Sequence, residues 1–86
     1  MTYSSEFTRI FIKHLDKLDS QIRNRVLAAI DDILTDPKNG SQLVSGKEVL
    51  FKWRVGDYRI VYKIDEQRRI VFFVIVDHRR RVYSRF

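Results

Sequence analysis

The sequence predicts an α+β fold, with an antiparallel helical hairpin packed on one face of a mainly antiparallel four-stranded sheet. The element order is β-α-α-β-β-β. Three observations carry this. Apolar residues recur at helical spacing as far as Pro37, then at a spacing of two from Val49 onward. One short link near Asp19 divides the helical part into two stripes. Gly56-Asp57 separates two alternating runs, the pattern of a tight β-hairpin.

The opening strand spans residues 3–7. Thr8 is placed to cap a helix over 9–18, in which Phe11, Leu15 and Leu18 follow i, i+4, i+7 spacing. Asp19 or Ser20 caps a second helix that runs to 35 or 36. Its stripe is Ile22, Val26, Ala29, Ile30 and Ile33. Pro37 stops it, because proline disfavours helical geometry in the residue before it. Residues 38–46, KNGSQLVSG, are expected to form the one true loop. In the strands that follow, Phe51, Trp53 and Val55 face one way, as do Tyr58, Ile60 and Tyr62. A last strand, 69–76, is apolar on both faces and is expected in the sheet interior.

A chain of 86 residues implies one domain, here 1–86. There is no cysteine, so neither disulfides nor thiolate metal sites are expected. The N-terminal residues lack a basic flank followed by an apolar run, so no signal peptide is expected. The longest apolar run, 70–76, is far too short to span a bilayer. These features predict a cytoplasmic protein with no membrane association.

Charge is distributed unevenly. Residues 1–43 hold six basic and six acidic side chains; residues 44–86 hold eleven basic and five acidic. The whole excess of +6 therefore lies in the second half. Such asymmetry points to a polyanion, with nucleic acid first. A solubilising surface is the plainer alternative.

The hairpin register sharpens this. If Val55 pairs with Tyr58, Arg54 faces Arg59, and Lys52, Arg54, Arg59 and Lys63 share the face away from the helices. Two like charges about 5.5 Å apart repel by about 3 kcal/mol at an effective dielectric near 20, before splaying and screening. The arrangement suits a bound anion better than it suits stability. Arginine presents a planar fork of donors to phosphate, and Tyr83 offers a ring on which a base can stack.

The acids of the second half are scattered among strand ends and turns, so no metal cluster and no cofactor are expected. Cleavage without metal remains open to RNA, whose 2′-hydroxyl is a built-in nucleophile. The protein must take its proton, stabilise the phosphorane and help the leaving oxygen. Arginine is too basic for the first task. Lys52 is the stronger base candidate, since neighbouring cations disfavour a charged amine; Tyr83 and His78 are other proton carriers. His14 reads as an exposed helix residue, and Trp53 reads as core.

The segments FKWRVGDYRIVYKID and RRIVFFVIVDHRRRVY resemble those of the RelE/ParE superfamily of toxins from prokaryotic toxin–antitoxin systems. The resemblance covers nearly the whole chain. Its RelE branch implies a metal-free mRNA endonuclease that works in the ribosomal A site and leaves a 2′,3′-cyclic phosphate. It also implies roles for individual residues. Lys52 and Arg54 fall on the basic positions of the strand, and Arg59 on the phosphate-stabilising arginine. Arg79 falls on the leaving-group arginine, a part that Arg80 or Arg81 can also take. Tyr83 falls on the tyrosine that stacks and orients the 2′-hydroxyl. Lys63, His78, Arg80, Arg81 and Arg85 are expected to contact RNA. The implied partners are mRNA, the ribosome and a cognate antitoxin of RelB type, whose complex with the toxin can bind its own promoter DNA. The ParE branch shares the fold and implies a DNA gyrase inhibitor instead; a non-catalytic RNA-binding module is a third reading.

Overall fold

The computed structural model describes residues 2–86, with the backbone alone at Val44 and Ser45. The chain runs β1 (Ser4–Phe7), α1 (Arg9–Lys17), α2 (Ser20–Thr35), a 3-10 turn (Pro37–Asn39), β2 (Ser41–Ser45), β3 (Glu48–Val55), β4 (Tyr58–Asp65), β5 (Ile70–His78) and α3 (Arg79–Arg85). The sheet order is β1-β5-β4-β3-β2. All neighbours are antiparallel except β1 and β5.

Both helix starts follow from side-chain capping. The Thr8 hydroxyl oxygen accepts from the Phe11 N–H at 3.0 Å, and an Asp19 carboxylate oxygen accepts from the Ile22 N–H at 3.1 Å. The two helices cover one sheet face. Phe11, Val26, Ile30 and Ile33 pack there on Val55, Ile60, Tyr62, Val71, Phe73 and Val76. Each large side chain fully buried in this way contributes about 1.5–3 kcal/mol. Trp53 packs against this core as expected. The buried Tyr62 hydroxyl donates to the Pro37 carbonyl at 2.7 Å, and this ties the end of the helical hairpin to the sheet.

The expected four strands and two helices need two additions. Residues 41–45 are not loop but an edge strand paired with β3. Among its described side chains Leu43 packs against a core, and the segment shows no clear alternation. The basic C-terminal run is a helix, α3. His78 caps it through Nδ1, which accepts from the Arg80 N–H at 3.3 Å. Val82 seats the helix on the second face of the sheet, against Leu50, Val61 and Ile75.

The last strand also continues to His78, two residues beyond the expected end. It contains a bulge: Val61 pairs with Ile75 while Tyr62 pairs with Phe73, which leaves Val74 as the extra residue. The Val74 carbonyl accepts from the Thr8 hydroxyl at 2.7 Å. The bulge shifts alternation by one. Phe73 and Val76 therefore face the helical hairpin, and Ile75 joins the α3 side.

Candidate active site

The β3–β4 hairpin closes on Gly56-Asp57, with Gly56 at a φ of 58°, where a side chain would be strained. Register is as the pattern implies: Val55 pairs with Tyr58, Arg54 with Arg59, Trp53 with Ile60 and Lys52 with Val61. Lys52, Arg54 and Arg59 therefore share the face on which α3 lies.

Arg59 departs from a free cation. It is buried, and its Nη1 donates to the carbonyls of Gly56 at 3.0 Å and Tyr58 at 2.8 Å. Its other ladder neighbour is Asp77. The turn thus fixes one edge of the guanidinium, and the like-charge pairing with the exposed Arg54 costs less than two free cations would. The guanidinium also interacts with the Tyr83 hydroxyl. Helix α3 starts where the Arg79 N–H donates to the Asp57 carbonyl at 2.8 Å, at the hairpin tip. Val82 is buried, so Tyr83 projects at the surface, 55% exposed, with Lys52 Nζ 5.1 Å from its ring centroid. Hydrogen bonding from Arg59 holds the Tyr83 phenol below its ordinary value, with the charges of Lys52, Arg59 and Arg79 acting in the same direction.

The hairpin and α3 thus bring Lys52, Arg54, Arg59, Arg79 and Tyr83 to one end of one sheet face. The other sequence-selected residues separate from them. Lys63 lies at the far end of β4, 3.6 Å from a Glu48 carboxylate oxygen and over the Phe72 ring. His78 serves as a helix cap. Arg80 and Arg85 are exposed, and Arg81 donates to Asp77 at 2.8 Å.

Two residues that the sequence left aside are structural. His14 is half-buried rather than exposed: its Nδ1 lies 3.0 Å from the Val76 carbonyl and 3.7 Å from Asp77 Oδ2. Asp77 is buried, and its Oδ1 also accepts from the His78 N–H at 2.8 Å. Burial pushes its carboxyl up. The Arg81 hydrogen bond, the His78 N–H and the charges of Arg81 and His14 outweigh that and hold it below the usual carboxylate range. The clue available in the sequence was the i, i+4 spacing of Asp77 and Arg81 across a strand end.

A helical hairpin on a five-stranded sheet, with cations and a tyrosine gathered at one end, is the build of a small toxin fold. Residues 6–83 match the ParE toxin family of type II toxin–antitoxin systems, and the chain belongs to that RelE/ParE group. Toxin RelG of Mycobacterium tuberculosis is 33% identical over 99% of this chain and 100% of its own length. The mRNA interferase toxin RelE of Escherichia coli is 28% identical over 98% of this chain and 93% of its own. Among solved structures, the RelBE2 toxin–antitoxin complex of M. tuberculosis superposes with a TM-score of 0.81 at 31% identity. It covers 91% of this chain and 99% of the matched one. The isolated E. coli RelE toxin gives 0.77 at 25% identity, with 96% and 93% covered. Among the described residues, no helix is long and apolar enough to cross a membrane.

Proposed function

We infer that this toxin is a metal-independent endoribonuclease that cleaves mRNA in the ribosomal A site and so stops translation. The observation that carries this reading is the grouping of Lys52, Arg54, Arg59 and Tyr83, with the Tyr83 phenol held below its ordinary value. The relatives named mRNA interferases support it. The scissile phosphate sits against Arg54 and Arg59, whose charge stabilises the phosphorane. The Lys52–Tyr83 pair takes the 2′-hydroxyl proton. The 2′-oxygen then bonds to phosphorus, the bond to the 5′-oxygen breaks, and a 2′,3′-cyclic phosphate is left. Arg79 stabilises the departing 5′-oxygen, which takes a proton from water. An acidic antitoxin segment that covers this face would silence it. Some solved relatives are toxin–antitoxin complexes, which supports such a partner.

Primer extension on translated mRNA tests the reading. Wild type is expected to cut, and Arg59→Ala to cut about 10²–10³-fold more slowly, as for loss of one oxyanion donor. Intact mRNA with wild type would refute the activity, and undiminished cutting by Arg59→Ala would refute the site. A gyrase-directed toxin, the reading favoured by the ParE description of the matching family, predicts intact mRNA together with inhibited supercoiling.

A further inference from the structure

Behind the hairpin tip, on the other flank of Asp77, lies a cleft of about 340 Å3. Four elements wall it. His14 and Lys17 come from the last turns of α1, Asp77 from the end of β5, and Arg81 and Arg85 from α3; Tyr58 adds an aromatic wall. The i, i+3 spacing of 14 and 17 and the i, i+4 spacing of 81 and 85 put two basic residues on one face of each helix.

With His14 counted neutral, the lining holds three cations and one carboxylate. That carboxylate is already satisfied: Oδ1 takes the Arg81 Nη1 and His78 N–H hydrogens, and Oδ2 faces His14. Among the described residues, neither Lys17 nor Arg85 has an ion-pair partner. The dipole of α1 accounts for a cation at its own C-terminal end. The dipole of α3 does the same for Arg85, but neither dipole accounts for the two basic helix ends lining one cleft together. An ammonium and a guanidinium fork lining one cleft with an aromatic ring are suited to a phosphate and the sugar or base attached to it.

The cleft adjoins the candidate active site, since Asp77 and Arg59 are ladder partners on adjacent strands, about 4.8 Å apart. We propose that this cleft is a second phosphate subsite, with Lys17 and Arg85 holding a backbone phosphate of the same RNA strand whose scissile phosphate lies at Arg54 and Arg59. The proposal rests on the RNA reading above. It adds a role for α1, which carries no residue of the cleaving group, and it gives the strand a defined path around the hairpin tip.

The test measures binding of a 2′-O-methyl RNA oligonucleotide, which has no free 2′-hydroxyl, to the full chain at several salt concentrations. The proteins are wild type, Lys17→Ala/Arg85→Ala and the charge-preserving Lys17→Arg/Arg85→Lys. Both positions are exposed, so the variants are expected to fold, and thermal melts check this. The alanine pair should weaken binding and lower the slope of log K against log salt by about 0.7, the share of one phosphate no longer neutralised; the charge-preserving pair should restore both. An unchanged slope in the alanine pair overturns the subsite, as does a wild type that binds no RNA. Loss of binding to a glutamate-rich peptide with RNA binding intact also overturns it, in favour of a protein partner. Primer extension separates the two readings. RNA binding with the expected slope change but no cutting by wild type removes the nuclease and leaves the subsite. Cutting by wild type with an unchanged slope removes the subsite and leaves the nuclease.

Discussion

Arg59 and Asp77 stand opposite each other in the β-ladder, and a cluster of cations lies on either side of them. On the hairpin side, Lys52, Arg54 and Arg59 gather with Tyr83, and the one ring among them is held by cations. On the cleft side, His14 and Arg81 close on a buried carboxylate. The two clusters have similar composition but different chemistry. An internal acid converts cations into an anchor, because it commits their charge to holding α3 and α1 to the end of β5. Where the acid is missing, the charge stays available to a bound anion and acts on the nearest titratable group, which is Tyr83. Neighbouring strands thus separate the proposed catalytic cluster from an anchoring one.

Three changes break or sharpen this contrast. The largest effect is expected from Tyr83→Phe, which removes the hydroxyl and keeps the ring. General acid–base groups contribute about 10²–10⁴-fold, so single-turnover cleavage should fall within that range. The phenol sits below its ordinary 10.0, so its deprotonated form becomes available at lower pH. Wild-type cleavage should therefore rise with pH through an apparent value under 10.0, and the variant should lose that limb. If the limb survives in Tyr83→Phe and disappears in Lys52→Ala, Lys52 is the base.

An intermediate effect is expected from Asp77→Asn, which strips the anchor without touching the hairpin. Hydrogen bonds to a charged group contribute about 1.5–3 kcal/mol. Urea melts at neutral pH should show a loss of that order. The sign with pH follows from the lowered carboxyl. Its stabilisation is complete above the unfolded value of about 3.8 and is lost as pH falls through the lower folded value. The gap between wild type and variant should therefore close only below about pH 4. A gap that stays constant into strong acid would show that Asp77 contributes no charge-dependent stability.

The smallest effect is expected from Lys63→Ala. Its ammonium is engaged by Glu48 and Phe72 at the far end of β4. Stability should shift by no more than about 0.5 kcal/mol, as for ordinary surface substitutions. Cleavage in the primer-extension assay should match wild type. A marked loss of cutting would extend the RNA path along the whole sheet face.

Local rules made much of this protein legible in its amino-acid order. Thr8 and Asp19 cap helices because a short side chain meets a free N–H within three residues. Pro37 ends a helix, and Gly56-Asp57 sets the hairpin register, so the pairing of Arg54 with Arg59 follows from alternation alone. What local order could not express depends on distant partners. Strand β2 exists because β3 offers an open edge. Helix α3 buries Val82 in a second core built with three strand residues, Leu50, Val61 and Ile75. The bulge at Val74 is invisible in a run where every residue is apolar, yet it decides which face Asp77 shares. That shift places a carboxylate beside Arg59, recruits His14 and Arg81 to it, and leaves Lys52 and Tyr83 with cations only. Periodicity determined which residues lie on α1, α2, β3 and β4. Only the packing of α1 and α3 against the end of β5 decided which charges are neutralised and which remain to act.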